Sequence, residues 1–254
     1  MTVVTGAGAG IGRAIAARLA REGARVVVND LDVDRATSTA RDIDGIAVPG
    51  STATIDGARA IIAAAENAYG PIDIWFANAG VDAGRGLAAS DEAWTSSVEV
   101  NLMAHVRAAR LLMKGWLGRG SGRFVVTASA AGLLTMLDSP AYSVTKHAAV
   151  AFAEWLSVTY RHRGIVVQAI CPEAVRTQMY EDTGAVKAVL SHDAVLTPDE
   201  VADAVWDGLQ DNRFLILPHP RVADYYRRRA DHTDEWLESM NRLQQRLESG
   251  RATA

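Results

Sequence analysis

The chain has 254 residues, 49% of them apolar and 22% charged, with a formal net charge of −4. That is the balance of a globular protein able to bury a core without disulfide or metal staples, and it gives no reason to expect a nucleic-acid partner. The lone cysteine, Cys171, excludes an internal bridge and points to a reducing, cytoplasmic setting. "MTVVT" (1–5) reads as a strand, and its place at the very start argues against a secretory leader. "GRAIAARLAREG" (12–23) has helical spacing, and "ARVVVND" (24–30) is the next strand. Further strands are expected at 72–78, 122–129, 164–171 and 213–218, with long helical patterns near 91–118 and 141–162. Phe124 to Leu137, the longest apolar stretch, carries hydroxyls and a glycine and is too short to span a membrane. Apolar strands alternating with helices predict an α/β fold: one domain, a doubly wound parallel sheet with helices on both faces.

Two segments fall outside that alternation. Residues 177–197 look irregular or weakly helical. After Pro220 a charged tail places Trp236, Met240, Leu243 and Leu247 at helical spacing. The preferred reading is a terminal helix lying on its own domain. A helix that packs on a partner subunit or closes a substrate pocket is the alternative, and the sequence leaves both open.

"TGAGAGIG" (5–12) joins the first strand to the first helix. Bare backbone amides at a helix N-terminus make a cradle for phosphate, and the helix dipole adds to it. Counting from Gly6, the sixth position is Ile11, so the general G-x-G-x-x-G fingerprint fails. The pattern that fits is T-G-x-x-x-G-x-G, on Thr5, Gly6, Gly10 and Gly12, and a plain tight turn is the competing explanation. Asp30 closes the second strand, where an acid accepts hydrogen bonds from adenosine ribose hydroxyls and repels a 2′-phosphate. With Ala9 before Gly10 and Leu31 after Asp30, NAD is expected over NADP. Arg13 and Arg25 are the nearest cations in sequence, Arg13 read as solvated.

Tyr142 and Lys146 are four apart, so they share a helical face. A phenol titrates near ~10 in solution, and a nearby ammonium is expected to lower that value toward general acid–base use. The six histidines are scattered and no His-Glu-x-x-His is present, so no metal is expected. His147 reads as a surface or interface residue, and Cys171 as a small buried one.

Taken in order, Thr5-Gly6-x-x-x-Gly10-x-Gly12, "ANAG" (77–80), Asn101, Ser129 and Tyr142-x-x-x-Lys146 resemble the short-chain dehydrogenase/reductase family in its single-domain, Rossmann-type branch. The resemblance covers about residues 1–218. It implies that Ser129 hydrogen-bonds the substrate oxygen, Tyr142 exchanges a proton with it, and Lys146 holds the nicotinamide ribose and tunes the tyrosine. Asn101 is implied in a water-linked proton relay, Asn78 and Gly80 under the adenine side of the cofactor, and Thr177 at the nicotinamide carboxamide. Ile11, Pro172 and Val175 join the implied cofactor contacts. The family pattern also implies a homotetramer or homodimer built on the helices at 91–118 and 141–162.

Three positions depart from the pattern: Ala77 replaces an asparagine, Glu173 a glycine, and Ser51 an acid that pairs with adenine. The expectation is an NAD-dependent oxidoreductase interconverting a secondary alcohol and a ketone, in a catalytic domain of residues 1–218 with 219–254 as its helical extension. Residues 177–197 are expected to fold over the substrate. Met179, Tyr180, Val186, Val189 and Leu190, with Lys187 as their one cation, suggest an apolar substrate. A non-catalytic NAD-binding sensor or scaffold is the competing class, and the intact Ser129, Tyr142 and Lys146 argue against it.

Overall fold

The computed structural model describes residues 1–187 and 194–252. Val189 and Leu190 of the expected substrate loop lie outside the described residues. β1 (Thr2–Val4), β2 (Val26–Val28) and β3 (Ile46–Ala47) are followed by β4 (Ile74–Ala77), β5 (Gly122–Thr127), β6 (Ile165–Ile170) and β7 (Leu215–Ile216). They form one parallel sheet in the order β3-β2-β1-β4-β5-β6-β7. Val3 pairs with Val27 on one side and Trp75 on the other, so the chain reverses its direction of winding between β1 and β4. That crevice is where open α/β sheets bind ligands.

β3 was not expected. It has two residues, set between Gly45 and Pro49, too few to show alternation. Hydrogen bonds from Val48 N to Val28 O and from Gly50 N to Asp30 O continue its course beside β2.

Helices cover both faces. α1 (Gly10–Arg21), α2 (Val33–Asp42) and α8 (Pro198–Asp211) lie on one side, where Ile15, Leu19, Val201 and Val205 pack over Val4, Val28 and Phe76. α3 (Ile55–Tyr69), α5 (Ala104–Arg119) and α6 (Pro140–Tyr160) lie on the other. There Trp116 meets Phe124 edge-on at 6.3 Å and donates from Nε1 to Ile72 O at 2.7 Å. A buried indole N–H that finds an acceptor carries no desolvation penalty.

The long helix expected near 91–118 is broken. α4 (Asp91–Val98) and α5 are joined by a π-helical turn, Glu99–Met103. Such one-residue insertions occur mostly at functional sites. This one carries Asn101.

The segment after β6 contains α7 (Gln178–Glu181) and a short 3₁₀ turn, Gly184–Val186. The tail forms α9 (Arg221–Asp231) and α10 (Thr233–Ala252). Trp236, Met240 and Leu243 of α10 are half-buried and Leu247 is buried, so the apolar stripe lies on the chain's own domain. α10 also packs against the Gly184–Val186 turn, which joins the preferred reading of the tail to the pocket-closing alternative. No helix among the described residues is long and apolar enough to cross a membrane.

Candidate active site

The site begins where β1 and β4 end. Thr5 Oγ1 donates to Phe76 O at 3.0 Å and accepts from Asn78 N at 2.9 Å and Ala79 N at 3.1 Å. Asn78 Nδ2 returns bonds to Thr5 O and Gly6 O, at 2.9 and 3.2 Å. This set fixes the glycine turn against the loop after β4. Gly6 and Gly10 take φ of 61° and 54°, the left-handed region that glycine enters without strain. A Cβ on Gly12 would collide with Gly6 O and Asn78 Nδ2. Asn78 therefore braces the turn from below.

α1 starts at Gly10 with no side-chain cap and no acid in its first turn. Its first N–H groups face the cavity mouth with no capping side chain, which is the arrangement that receives a phosphate. Asp30 shapes the same turn: Oδ2 accepts from Gly8 N at 2.9 Å and Oδ1 from Asp32 N at 3.0 Å. Gly8 was not singled out by spacing, yet a Cβ there would lie 2.8 Å from Asp30 Oδ2. Arg13 pairs with Asp42 at 3.0 Å on the exposed face of α1, in line with its solvated reading. Beside the glycine turn the cation that lines the cavity is Arg35, ion-paired to Asp32 at 3.3 Å, and not Arg13 or Arg25.

From this turn a cavity of about 530 Å³ runs across the C-terminal ends of the strands to Tyr142. Gly6, Gly10, Ile11, Gly12, Asp30, Asn78, Gly80, Ser129, Tyr142, Lys146, Pro172, Val175 and Thr177 all line it. Gly80 sits beside Asn101 and Lys146. A Cβ there would come within 3.3 Å of both Asn101 Oδ1 and Lys146 Nζ. Thr177 caps α7 by accepting from Tyr180 N at 3.3 Å, and its methyl lies over Gly10.

Ser129 follows β5, where its Oγ accepts from Ala131 N at 3.1 Å and donates to Pro172 O at 3.4 Å, close enough to the Tyr142 phenol to favour its charged form. Lys146 is 3% exposed, and its Nζ donates to Thr127 O at 2.8 Å. That ammonium lies 5.5 Å from the Tyr142 ring centroid. Asn101 has its whole amide engaged: Oδ1 accepts from Val81 N at 2.8 Å, and Nδ2 donates to Val81 O at 2.8 Å and Thr145 Oγ1 at 3.0 Å. The side chain thus clamps the loop after β4 to α6.

The electrostatics correct one expectation. Burial pushes the Tyr142 phenol up to about 12; the Ser129 hydrogen bond works against this, and Asp82 and Cys171 reinforce it. Lys146 does not pull the phenol below its solution value, because desolvation dominates and the ammonium is held on Thr127 O. Burial also lowers Lys146, to about 8, and raises the Cys171 thiol to about 12, which keeps that thiol protonated.

The departures acquire structural readings. Glu173 is absent from the non-glycine residues with positive φ, so its backbone does not need glycine there. Its N–H donates to His219 Nδ1 at 3.1 Å, and His219 Nε2 lies 3.1 Å from Ala174 O and Ala194 O. Ser51 lines the cavity and accepts from Ala53 N at 3.2 Å. Ala77 is buried at the end of β4 beside a small void that also touches His105, whose imidazole burial drives down to about 3. His147 is neither free at the surface nor in the site: its Nε2 is 3.0 Å from Arg229 Nη1, which also donates to Leu133 O and lies over the Trp236 ring.

A family model described as short chain dehydrogenase matches residues 1–187. The chain belongs to the short-chain dehydrogenase/reductase family. A 1-deoxy-11-beta-hydroxypentalenate dehydrogenase of Streptomyces exfoliatus is 33% identical over 243 residues, covering 92% of this chain and 87% of that one. A short-chain dehydrogenase/reductase from Burkholderia phymatum, solved in complex with NAD, superposes with a TM-score of 0.84 at 27% identity, over 92% of this chain and 93% of that one. An actinorhodin polyketide ketoreductase with NADPH gives 0.77 at 30% identity, over 85% and 93%. Like other family members, this dehydrogenase/reductase fold sets its cavity at the switch point of a seven-stranded parallel sheet.

The Thr5 hydroxyl predicts a measurable stability effect. Thr5→Val keeps the volume but leaves Asn78 N and Ala79 N without their acceptor. Thermal or urea unfolding is expected to show a loss of about 1–3 kcal/mol. An unfolding curve matching the wild type would show that the β1–β4 junction is held by packing alone.

Proposed function

We propose that the chain is an NAD-dependent oxidoreductase that interconverts a secondary alcohol and a ketone. The observation that carries this reading is the convergence of Ser129, Tyr142 and Lys146 at one end of a cavity whose other end is an uncapped helix N-terminus bounded by Asp30. NAD, when bound, supplies the carbon that accepts or returns a hydride. The amides of Gly10 to Gly12 hold its pyrophosphate, Asp30 its adenosine ribose, and Lys146 and Thr177 its nicotinamide end. Ser129 holds the substrate oxygen. Tyr142 takes the hydroxyl proton in oxidation and returns it in reduction. Lys146 passes that proton to a water held at the π turn that carries Asn101, and so to solvent. The Asn101 amide is fully engaged, so main-chain groups of that turn hold the water.

The substrate end is walled by Leu134, Met136, Met179 and Tyr180, which supports an apolar alcohol or ketone. Lys187, the cation of the substrate loop, is ion-paired with Glu181 and lies 5.0 Å from the Tyr180 ring centroid. Its charge is therefore matched within the loop. A NAD-binding sensor or scaffold has no comparable use for the buried Ser129–Tyr142–Lys146 group.

We also infer a dimer or tetramer assembled through α5 and α6. Val144, Ala151, Trp155 and Val158 fall on one face of α6, and Trp155 and Val158 are 55% and 79% exposed. Phe152 and Trp155 stack at 6.5 Å, which gives that face a rigid aromatic centre. An apolar patch of this kind on a soluble chain marks an association surface.

Nicotinamide fluorescence titrations test the cofactor reading. NADH is expected to bind at least ~10-fold more tightly than NADPH, about 1.4 kcal/mol from the charge of Asp30. Equal affinities would remove Asp30 as the selector and leave Arg35 as a phosphate partner. Tyr142→Phe is expected to bind NADH normally while NAD-linked oxidation of a secondary alcohol falls by about 10²-fold or more; turnover near that of the wild type would end the acid–base assignment. Sedimentation of Trp155→Glu is expected to show monomers where the parent chain shows dimers or tetramers.

A further inference from the structure

The loop between β4 and α4 carries an ion pair that the mechanism above does not use. Asp82 is almost wholly buried, its side chain 4% exposed, and its Oδ1 lies 2.8 Å from Arg85 Nη1. The same Arg85 nitrogen donates to Ser139 Oγ at 3.0 Å and Gly84 O at 3.1 Å. Ser139 Oγ donates in turn to Asp82 Oδ2 at 3.5 Å.

Ser139 is the N-cap of α6, three residues before Tyr142. A serine there ordinarily accepts from the first free N–H groups of its helix. This one makes no such bond. Its hydroxyl is turned outward to Arg85 and Asp82. A second link runs beside it, from Gly86 N to Asp138 O at 2.9 Å, with Asp138 at φ 65°. The loop and the first turn of α6 are thus laced together, and both line or border the cavity at Tyr142.

We propose that Asp82 and Arg85 are positioning residues for Tyr142: they orient the first turn of α6 and, through their opposed charges, set the pH at which the phenol exchanges its proton. Asp82 acts on Tyr142 through charge and disfavours the phenolate. Arg85, paired with the same carboxylate, offsets it. The other ionisable groups around the phenol are Lys146 on its own helix, Cys171 at the end of β6, Glu173 beyond it, Asp138 before α6, and Tyr180 on α7. His147 faces away, toward Arg229. Asp82 and Arg85 carry opposite charges in one ion pair, so removing either member changes the field at Tyr142 in an opposite sense.

This rests on Tyr142 as the acid–base group, which the Tyr142→Phe turnover measurement tests separately. The experiment for the ion pair needs no turnover. Phenolate absorbance near 295 nm is followed against pH on the full chain with NAD, for the wild type, D82N, R85Q and R85K. Each is read as a difference from its own Tyr142→Phe counterpart. D82N is expected to lower the Tyr142 midpoint and R85Q to raise it, each by about one pH unit, with R85K at the wild-type value.

A merely structural pair would loosen the site in both variants and move both midpoints the same way, toward an ordinary phenol. That outcome, or coincident midpoints, would overturn the proposal. D82N keeps the shape of the carboxylate. If R85Q does not fold, R85M replaces it as the variant without the charge and is held to the same raised midpoint, and an unmoved D82N still defeats the pair.

Discussion

The structure depends on one hydroxyl at the junction of β1 and β4. Thr5 Oγ1 satisfies three main-chain groups of the neighbouring strand and its loop, and Asn78 answers with two bonds to the glycine turn. Parallel strands that wind apart leave backbone groups at their C-terminal ends without partners. Here those groups are tied to each other across the switch point. The glycine turn then has a fixed floor, Gly12 can approach within contact of Gly6 and Asn78, and α1 starts at a defined place and angle. The loop after β4 leaves that junction in one direction only, carrying Val81 to Asn101 and Asp82 to the start of α6.

Beyond that junction lies a pair of ionisable groups held together away from water. Lys146 is buried and Tyr142 half-buried, and desolvation disfavours the charged form of each. Their spacing on α6 makes them neighbours, but the Lys146 ammonium gives its hydrogen bond to Thr127 O at the C-terminal end of β5. Ser129 is the side chain that works against the desolvation of the phenol. The cost is a phenol that leaves its ordinary range, and the surrounding charges decide by how much.

Much of this was legible in the sequence because it is written in local chemistry. Glycines at 6, 10 and 12 announce a turn that tolerates no side chain, and the Tyr142–Lys146 interval announces one helical face. The β-branched runs announced six of the seven strands among the described residues. What escaped has a common cause: it depends on pairs far apart in the chain. β3 exists because Val28 and Asp30 offer it carbonyls, not because two residues have a period. The π turn exists where Asn101 reaches Val81, 20 residues away. Gly8 matters only because Asp30 folds back on it, and Asp82 and Arg85 only because Ser139 gives up its capping role. The expected depression of the Tyr142 phenol failed for the same reason, since spacing on a helix says nothing about depth.

The tail shows how far such distant pairing extends. Its apolar stripe, Trp236 to Leu247, needed a surface to cover, and sequence alone offered several. Arg229 decides among them. It donates to Leu133 O and lies 3.0 Å from His147 Nε2 while lying over Trp236, so α9 is fastened to the turn after β5 and to α6 at once. α10 then falls across the Gly184–Val186 turn. The turn after β5, α6 and the segment after β6 are thereby joined by residues that lie beyond the 1–187 span of the family model. No described residue of that tail lines the cavity, so its hold on the cavity is exerted through the elements it fastens.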